Sequence, residues 1–362
     1  MGGRWGEKGA EEGTEGVARV FSWNLKPRGE VRKQRSEVRK KTGTAGGLRG
    51  EISFFFDGGD GWGYVGGMTR EPCICIVGLG LMGASLAMAL RERGYAGRLV
   101  AYARREETRR AAVARGIVDG ATGDADAAAG EASLVVLCVP VRACADFAAE
   151  IAPVLQEGAL VTDVGSTKGW LDRQMAGILR AGAFVGSHPI AGSEQQGLDA
   201  ARGDLYEGAV VVVTGGEGAS GEAVGRVSAL WEGVGARVVG MSPEEHDRVL
   251  ARTSHLPHVA AAALAAVVGR EGAAEVAEFC GGGFADSTRV AAGGVELWMD
   301  ILTTNAGAVA EELGVLRGEV ERVCEALRGG RFAEVAEFLA RARGAREELV
   351  GGRARAGGDG GG

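Results

Sequence analysis

Histidine is scarce in this chain: four residues among 362, at His188, His246, His255 and His258. Cysteine is scarce too. Its six residues, Cys73, Cys75, Cys138, Cys144, Cys280 and Cys324, form no C-x-x-C pair. That spacing excludes a zinc ribbon and a redox dithiol. The cysteines read as small buried hydrophobes of a reducing, cytoplasmic compartment. No metal site is predicted. Lysine is missing altogether after Lys168. No apolar run is long enough to span a membrane. No apolar segment near the start resembles a signal peptide, and the acids there argue against a transit peptide. A net charge of -7 argues against a general nucleic-acid binder. Glycine is abundant at 64 residues but follows no fixed period, which excludes collagen.

What remains is a globular chain of about two domains. Residues 1–67 mix glycine with dense charge, as over residues 26–41, and show no sustained apolar period. They read as a disordered leader, with translation starting at Met68. The apolar runs at 73–77, 99–103, 134–139 and 160–164 have the length of buried parallel strands, and Leu86, Ala87 and Leu90 have helical spacing. Residues 106–115 read as a helix. Residues 183–186, 209–214 and 237–240 read as later strands of the same sheet. Strands alternating with helices predict an α/β fold, a Rossmann-type doubly wound parallel sheet over 68–241. After Ser242-Pro243 the strands stop. Residues 244–268, 273–279, 297–327 and 331–349 read as helices of an all-helical domain over 242–350, and 351–362 as a disordered, glycine-rich tail.

Between the first strand and the first helix stands Gly78-Leu79-Gly80-Leu81-Met82-Gly83. In that context a G-x-G-x-x-G pattern predicts a dinucleotide site. Gly78 permits the turn, Gly80 lets backbone approach a pyrophosphate, and Gly83 lets helix pack on strand. The helix N-terminus then faces the phosphates. Val139 and Pro140, closing the third predicted strand, are counted with the cofactor contacts. The second strand ends Ala103-Arg104-Arg105, where an NAD site carries an acid. A guanidinium there suits a 2′-phosphate, so NADP is predicted over NAD unless these arginines are merely solvated.

Downstream lie four motifs: Asp163-Val164-Gly165-Ser166-Thr167-Lys168; Ser187-His188-Pro189-Ile190-Ala191-Gly192; Glu245-His246-Asp247 with Ser254-His255-Leu256-Pro257-His258; and Gly281-Gly282-Gly283-Phe284-Ala285-Asp286-Ser287-Thr288-Arg289. In this order behind the glycine turn they resemble the prephenate and arogenate dehydrogenases of tyrosine biosynthesis, over residues 72 to about 345. The resemblance implies transfer of hydride from ring C4 of prephenate to the nicotinamide, with loss of CO2. It implies His188 as the catalytic base, a task suited to a side chain that titrates near neutrality. It implies Ser166 as the group that bonds the substrate hydroxyl, although a serine there could equally cap a helix. It implies Arg289 for a substrate carboxylate, His258 for the substrate's side chain, Glu194 and Asp286 as an ionic gate, and Trp298 at the pocket wall. Asp247 matches a family acid, with a structural ion pair as the alternative, and Lys168 reads as a solvated or structural charge.

The chain departs from the family pattern in two places. Ala285 stands where an arginine is usual, and Gly293-Gly294-Val295-Glu296 lacks the usual proline before Trp298. The motif His255-Leu256-Pro257-His258 favours prephenate, while NADP use favours arogenate. The resemblance also implies a homodimer formed through the helical domain. With no mixed α/β stretch after 350 and no helical module before the glycine turn, a monofunctional enzyme is expected. The glycine turn also resembles that of β-hydroxyacid dehydrogenases, but these need a lysine in the helical domain, and none follows Lys168. A regulator that binds NADP without catalysis would have lost Ser166, His188, His258 or Arg289, and all are present.

Overall fold

The computed structural model describes residues 69–358, apart from residues 193, 194, 217 and 271, with side chains as far as Gly351. The expected leader and its start at Met68 therefore lie outside the described residues. The chain opens with β1 (Cys73–Val77), buried throughout. Then follow α1 (Leu81–Glu92), β2 (Arg98–Tyr102), α2 (Glu106–Ala114), β3 (Gly120–Thr122), α3 (Ala125–Ala129), β4 (Leu134–Leu137), α4 (Val141–Ile151), β5 (Leu160–Asp163) and α5 (Gly169–Ile178). The strands form a parallel sheet in the order β3-β2-β1-β4-β5. Side chains alternate across it. Ile74, Ile76, Leu134 and Val136 enter the core on one face, while Cys75, Val77, Val135 and Leu137 enter the core on the other. Burial on both faces is why these strands read as unbroken apolar runs. β3, Gly-Ala-Thr, has no such run to mark it and was not expected.

β1 and β4 lie side by side, and the chain leaves them on opposite sides of the sheet order. That opens a crevice at their carboxyl ends. Gly78 stands there with φ +96, and a Cβ on it would meet the carbonyl oxygen of Cys138 at 2.6 Å. Val139 and Pro140 form the opposite lip.

The later strands depart from the expected single sheet. β6 (Gly186–Pro189), β7 (Val210–Thr214) and, after α6 (Gly221–Gly233), β8 (Arg237–Gly240) form a second sheet in that order. β6 pairs antiparallel with β7. Among the described residues between them only a short 3-10 turn forms, at Leu198–Ala200, with no crossover helix of the kind that parallel strands require. The two sheets join through β5, where the Val161 N–H bonds to the Ala183 carbonyl at 2.8 Å and the Val185 N–H to the Val161 carbonyl at 3.0 Å. His188 thus sits within β6 rather than after a strand at 183–186.

The helical part begins with α7 (Pro243–Leu250), capped by Ser242, whose hydroxyl accepts from the Glu245 N–H at 3.1 Å. A π turn at Ala251–His255 leads into α8 (Leu256–Val268). Pro257, just beyond, has no N–H to donate, and a widened turn accommodates that loss. There follow α9 (Ala273–Val276), α10 (Gly282–Thr288), α11 (Val295–Thr304), α12 (Ala306–Arg328) and α13 (Phe332–Gly358). The single helix expected over 297–327 is broken at Asn305, whose side chain is engaged elsewhere: it donates to the Asp247 carbonyl at 2.8 Å. α13 continues past the expected start of the tail, carried by the helix formers Arg353, Ala354, Arg355 and Ala356. Among the described residues, no helix is long and apolar enough to cross a membrane.

The glycine turn supplies a contrast that tests this packing. A Cβ at Gly83 would lie 2.0 Å from the Gly78 carbonyl oxygen, whereas one at Gly80 would meet nothing within 4 Å. Gly83→Ala is expected to lower the thermal unfolding midpoint by about 2–4 °C for each kcal/mol of strain. Gly80→Ala should leave it unchanged. Equal midpoints in a melting experiment would contradict this packing.

Candidate active site

The carboxyl edge of the first sheet presents the glycine turn. α1 starts at Leu81 with Gly80 as its N-cap, no side-chain cap and no acid in its first turn. A Cβ on Gly80 would meet nothing within 4 Å, so the space over the start of the helix is open there. Leu79 is buried, while Leu81 and Met82 are half-buried against the core. Beyond β2, Arg104 and Arg105 are both exposed, with Arg105 in the N-cap position of α2. Arg109, a residue that the sequence did not single out, donates to the carbonyls of Ala103 at 2.7 Å and Arg104 at 2.8 Å. It fixes the backbone that carries the arginine pair.

The Lys168 side chain is buried against Asp163, so its charge is structural and not solvated. Asp163 also accepts the N–H of Gly165 at 2.7 Å and of Ser187 at 3.1 Å. It thereby ties the loop bearing Ser166 to the strand bearing His188. Ser166 is half-buried and does not cap a helix: the N-cap position of α5 belongs to Lys168.

The four histidines fall into one connected set. His188 Nδ1 lies 2.8 Å from His246 Nε2, and His246 Nδ1 lies 2.8 Å from Asp247 Oδ1. Asp247 accepts the N–H of Lys168 at 2.8 Å and of Gly169 at 2.9 Å. Asn305 links the Asp247 carbonyl to His255 Nδ1, 3.3 Å away. His255 meets the Trp298 ring edge-on, with centroids 6.1 Å apart. Trp298 in turn stacks on His258 with centroids 3.4 Å apart and planes 10° from parallel. A Cβ at Gly293 would lie 2.5 Å from the Trp298 indole nitrogen. Glycine instead of a bulkier residue there makes room for the stack.

Burial holds these histidines neutral. It pushes His188 well below the ordinary histidine value, and His246, Lys168 and His255 push it further. Burial also lowers His246, against the opposing hydrogen bond from Asp247. His255 is pushed down to about 4, chiefly by burial. His258 is lowered by burial, with the Val290 backbone opposing. For Asp247 burial would raise the value, but the hydrogen bonds from His246 and the two backbone N–H groups prevail and hold it below the usual carboxylate range.

Asp286 and Arg289 are exposed, Asp286 on α10 and Arg289 on the 3-10 turn after it. That segment packs along α8, which carries His258. Glu194 lies outside the described residues. The sequence reading passed over His246, His255 and Asn305 as site residues, although the clustering of so rare a residue was a signal for the histidines. It also passed over Asp300, which is buried on α11 and accepts from Arg142 at the start of α4 at 2.7 Å.

Comparison with known proteins bears on both parts of the chain. The family profile for the prephenate dehydrogenase nucleotide-binding domain matches residues 86–240, and that for the prephenate dehydrogenase dimerization domain matches residues 242–341. The cyclohexadienyl dehydrogenase of Zymomonas mobilis is 36% identical over 263 residues, spanning 72% of this chain and 90% of the relative. The crystal structure of prephenate dehydrogenase from Aquifex aeolicus, in complex with hydroxyphenyl propionate and NAD+, superposes with a TM-score of 0.72 at 34% identity, covering 76% of this chain and 98% of the other. That of Synechocystis arogenate dehydrogenase does so with a TM-score of 0.68 at 30% identity, covering 76% and 99%. With a glycine turn at one sheet edge, a connected set of buried histidines and matches across both parts, the chain belongs to the prephenate dehydrogenase family.

Proposed function

We propose that this protein oxidises prephenate to 4-hydroxyphenylpyruvate and CO2 in the cytoplasm, as a step of tyrosine biosynthesis. The observation that carries the proposal is His188, buried, held neutral and hydrogen-bonded to His246, on the loop network that also holds Ser166. Residues 68–241 would bind the dinucleotide, and residues 242–350 would complete the substrate pocket and the dimer. The open space over Gly80 and the uncapped start of α1 fit a pyrophosphate. When bound, the nicotinamide supplies the oxidant, accepting a hydride from ring C4.

His188 takes the C4 hydroxyl proton as that carbon is oxidised. The ring carboxylate leaves as CO2, its bonding electrons restore aromaticity, and His188 returns the proton to the phenolate oxygen. The balance is one hydride and one CO2 lost, with no net proton released. Ser166 would bond the same hydroxyl, Arg289 a carboxylate and His258 the pyruvyl side chain, with Trp298 at the wall and Asp286 with Glu194 at the mouth. A second reading, arogenate to tyrosine, is supported by the likeness to an arogenate dehydrogenase and by the arginine pair.

Arg104 and Arg105, held by Arg109 where an acid would repel a 2′-phosphate, support NADP over NAD. Among the described residues, the exposed large hydrophobics lie almost entirely beyond Val249, from Leu264 through Phe279, Phe332 and Leu339 to Leu349. A second copy covering that surface supports a homodimer.

A spectrophotometric assay crossing prephenate and arogenate with NADP and NAD tests the reaction, and the highest kcat/KM is expected for prephenate with NADP. A clear NAD preference would refute the arginine reading. His188→Asn is expected to lower kcat by roughly a hundredfold or more, with dinucleotide binding retained. A base acts when neutral and fails as pH falls through its own pKa. The acid limb of kcat/KM should therefore lie below the ordinary histidine value of about 6.5; a limb above that would contradict the buried, neutral His188. Light scattering at micromolar concentration should give the mass of a dimer, and a monomer would count against the apolar surface as a subunit interface.

A further inference from the structure

We propose that His246 and Asp247 are positioning residues that lock His188 in one tautomer, with hydrogen on Nδ1 and a bare Nε2. The helical domain would thereby choose the protonation pattern of a base carried by the dinucleotide-binding domain. The proposal rests on the reading of His188 as the base.

Valence forces each step. Asp247 Oδ1 faces both the Lys168 N–H and His246 Nδ1, each at 2.8 Å, and Oδ2 faces the Gly169 N–H at 2.9 Å. An ionised carboxylate can only accept, so His246 must carry its hydrogen on Nδ1. A neutral His246 then has a bare Nε2, and that atom lies 2.8 Å from His188 Nδ1. Two bare nitrogens would repel, so His188 must donate from Nδ1. Neutral in turn, it keeps Nε2 free to take a proton.

The other charged and titratable groups near His188 leave this order intact. The Lys168 ammonium is paired with Asp163, and His255 Nδ1 is turned to Asn305. The relay also serves after the proton arrives, because an imidazolium at His188 is connected through His246 to the Asp247 charge. The same carboxylate grips the loop just beyond Ser166. One side chain of α7 therefore sets both the hydroxyl and the base.

The wild-type enzyme, labelled with 15N in its histidines and saturated with dinucleotide, tests the proposal directly. With four histidines in the chain, the His188 signals are assigned by their loss in His188→Asn. The expected result is a protonated Nδ1 and an unprotonated Nε2; the opposite tautomer overturns the proposal. In His246→Leu the backbone bonds of Asp247 remain, but nothing accepts from His188 Nδ1. His188 should then no longer be held with its hydrogen on Nδ1, and kcat should fall by roughly 10²- to 10⁴-fold with dinucleotide affinity unchanged. A variant within threefold of wild type in kcat, or one with the His188 tautomer unchanged, overturns the proposal. If His246→Leu does not fold, the wild-type spectrum alone decides. The two readings fail separately: turnover retained in His188→Asn removes the base itself, whereas an inactive His188→Asn beside an active His246→Leu removes only the relay.

Discussion

The Asp247 carboxylate is the contact on which the site depends. It belongs to the first helix of the helical part, yet its acceptor bonds reach into the sheet domain, to the N–H groups of Lys168 and Gly169. An ionised group so deep is costly unless both of its oxygens find donors. Here two backbone N–H groups and an imidazole N–H meet that demand. The cost of burying the charge is thus offset only when both domains are docked, which makes docking and site assembly one event.

A second buried ion pair supports the first. Lys168 and Asp163 lie wholly inside, and Asp163 also holds the backbone at Gly165 and Ser187. Such a pair is weak evidence for stability, since an apolar replacement can serve as well. Its evident effect is local: a fixed cation beside His188 adds to burial in keeping that imidazole neutral. Structure and electrostatics are set by the same residues.

Much of this is legible in the sequence. The strands of the parallel sheet were visible because burial on both faces leaves unbroken apolar runs, and the glycine turn because its chemistry is local. The misses are equally physical. β3 is too short and too small in its side chains to stand out. The antiparallel turn at β6 depends on what the chain does between Pro189 and Val210, where apolar periodicity is silent. The break at Asn305 arises from a side-chain bond to a helix far away in sequence, which no local propensity encodes. His246 and Asp247 lie inside a recognised motif, but only the three-dimensional arrangement reveals that His246 lies against His188 and Asp247 against His246.

The two parts of the chain are joined by only Met241 and Ser242, between the end of β8 and the start of α7. A link that short keeps α7 beside the sheet domain whose backbone it bonds. A sheet domain of this kind placed on a foreign helical partner would keep its glycine turn, its Ser166 and its His188, but His188 would lose the ring nitrogen that faces its Nδ1.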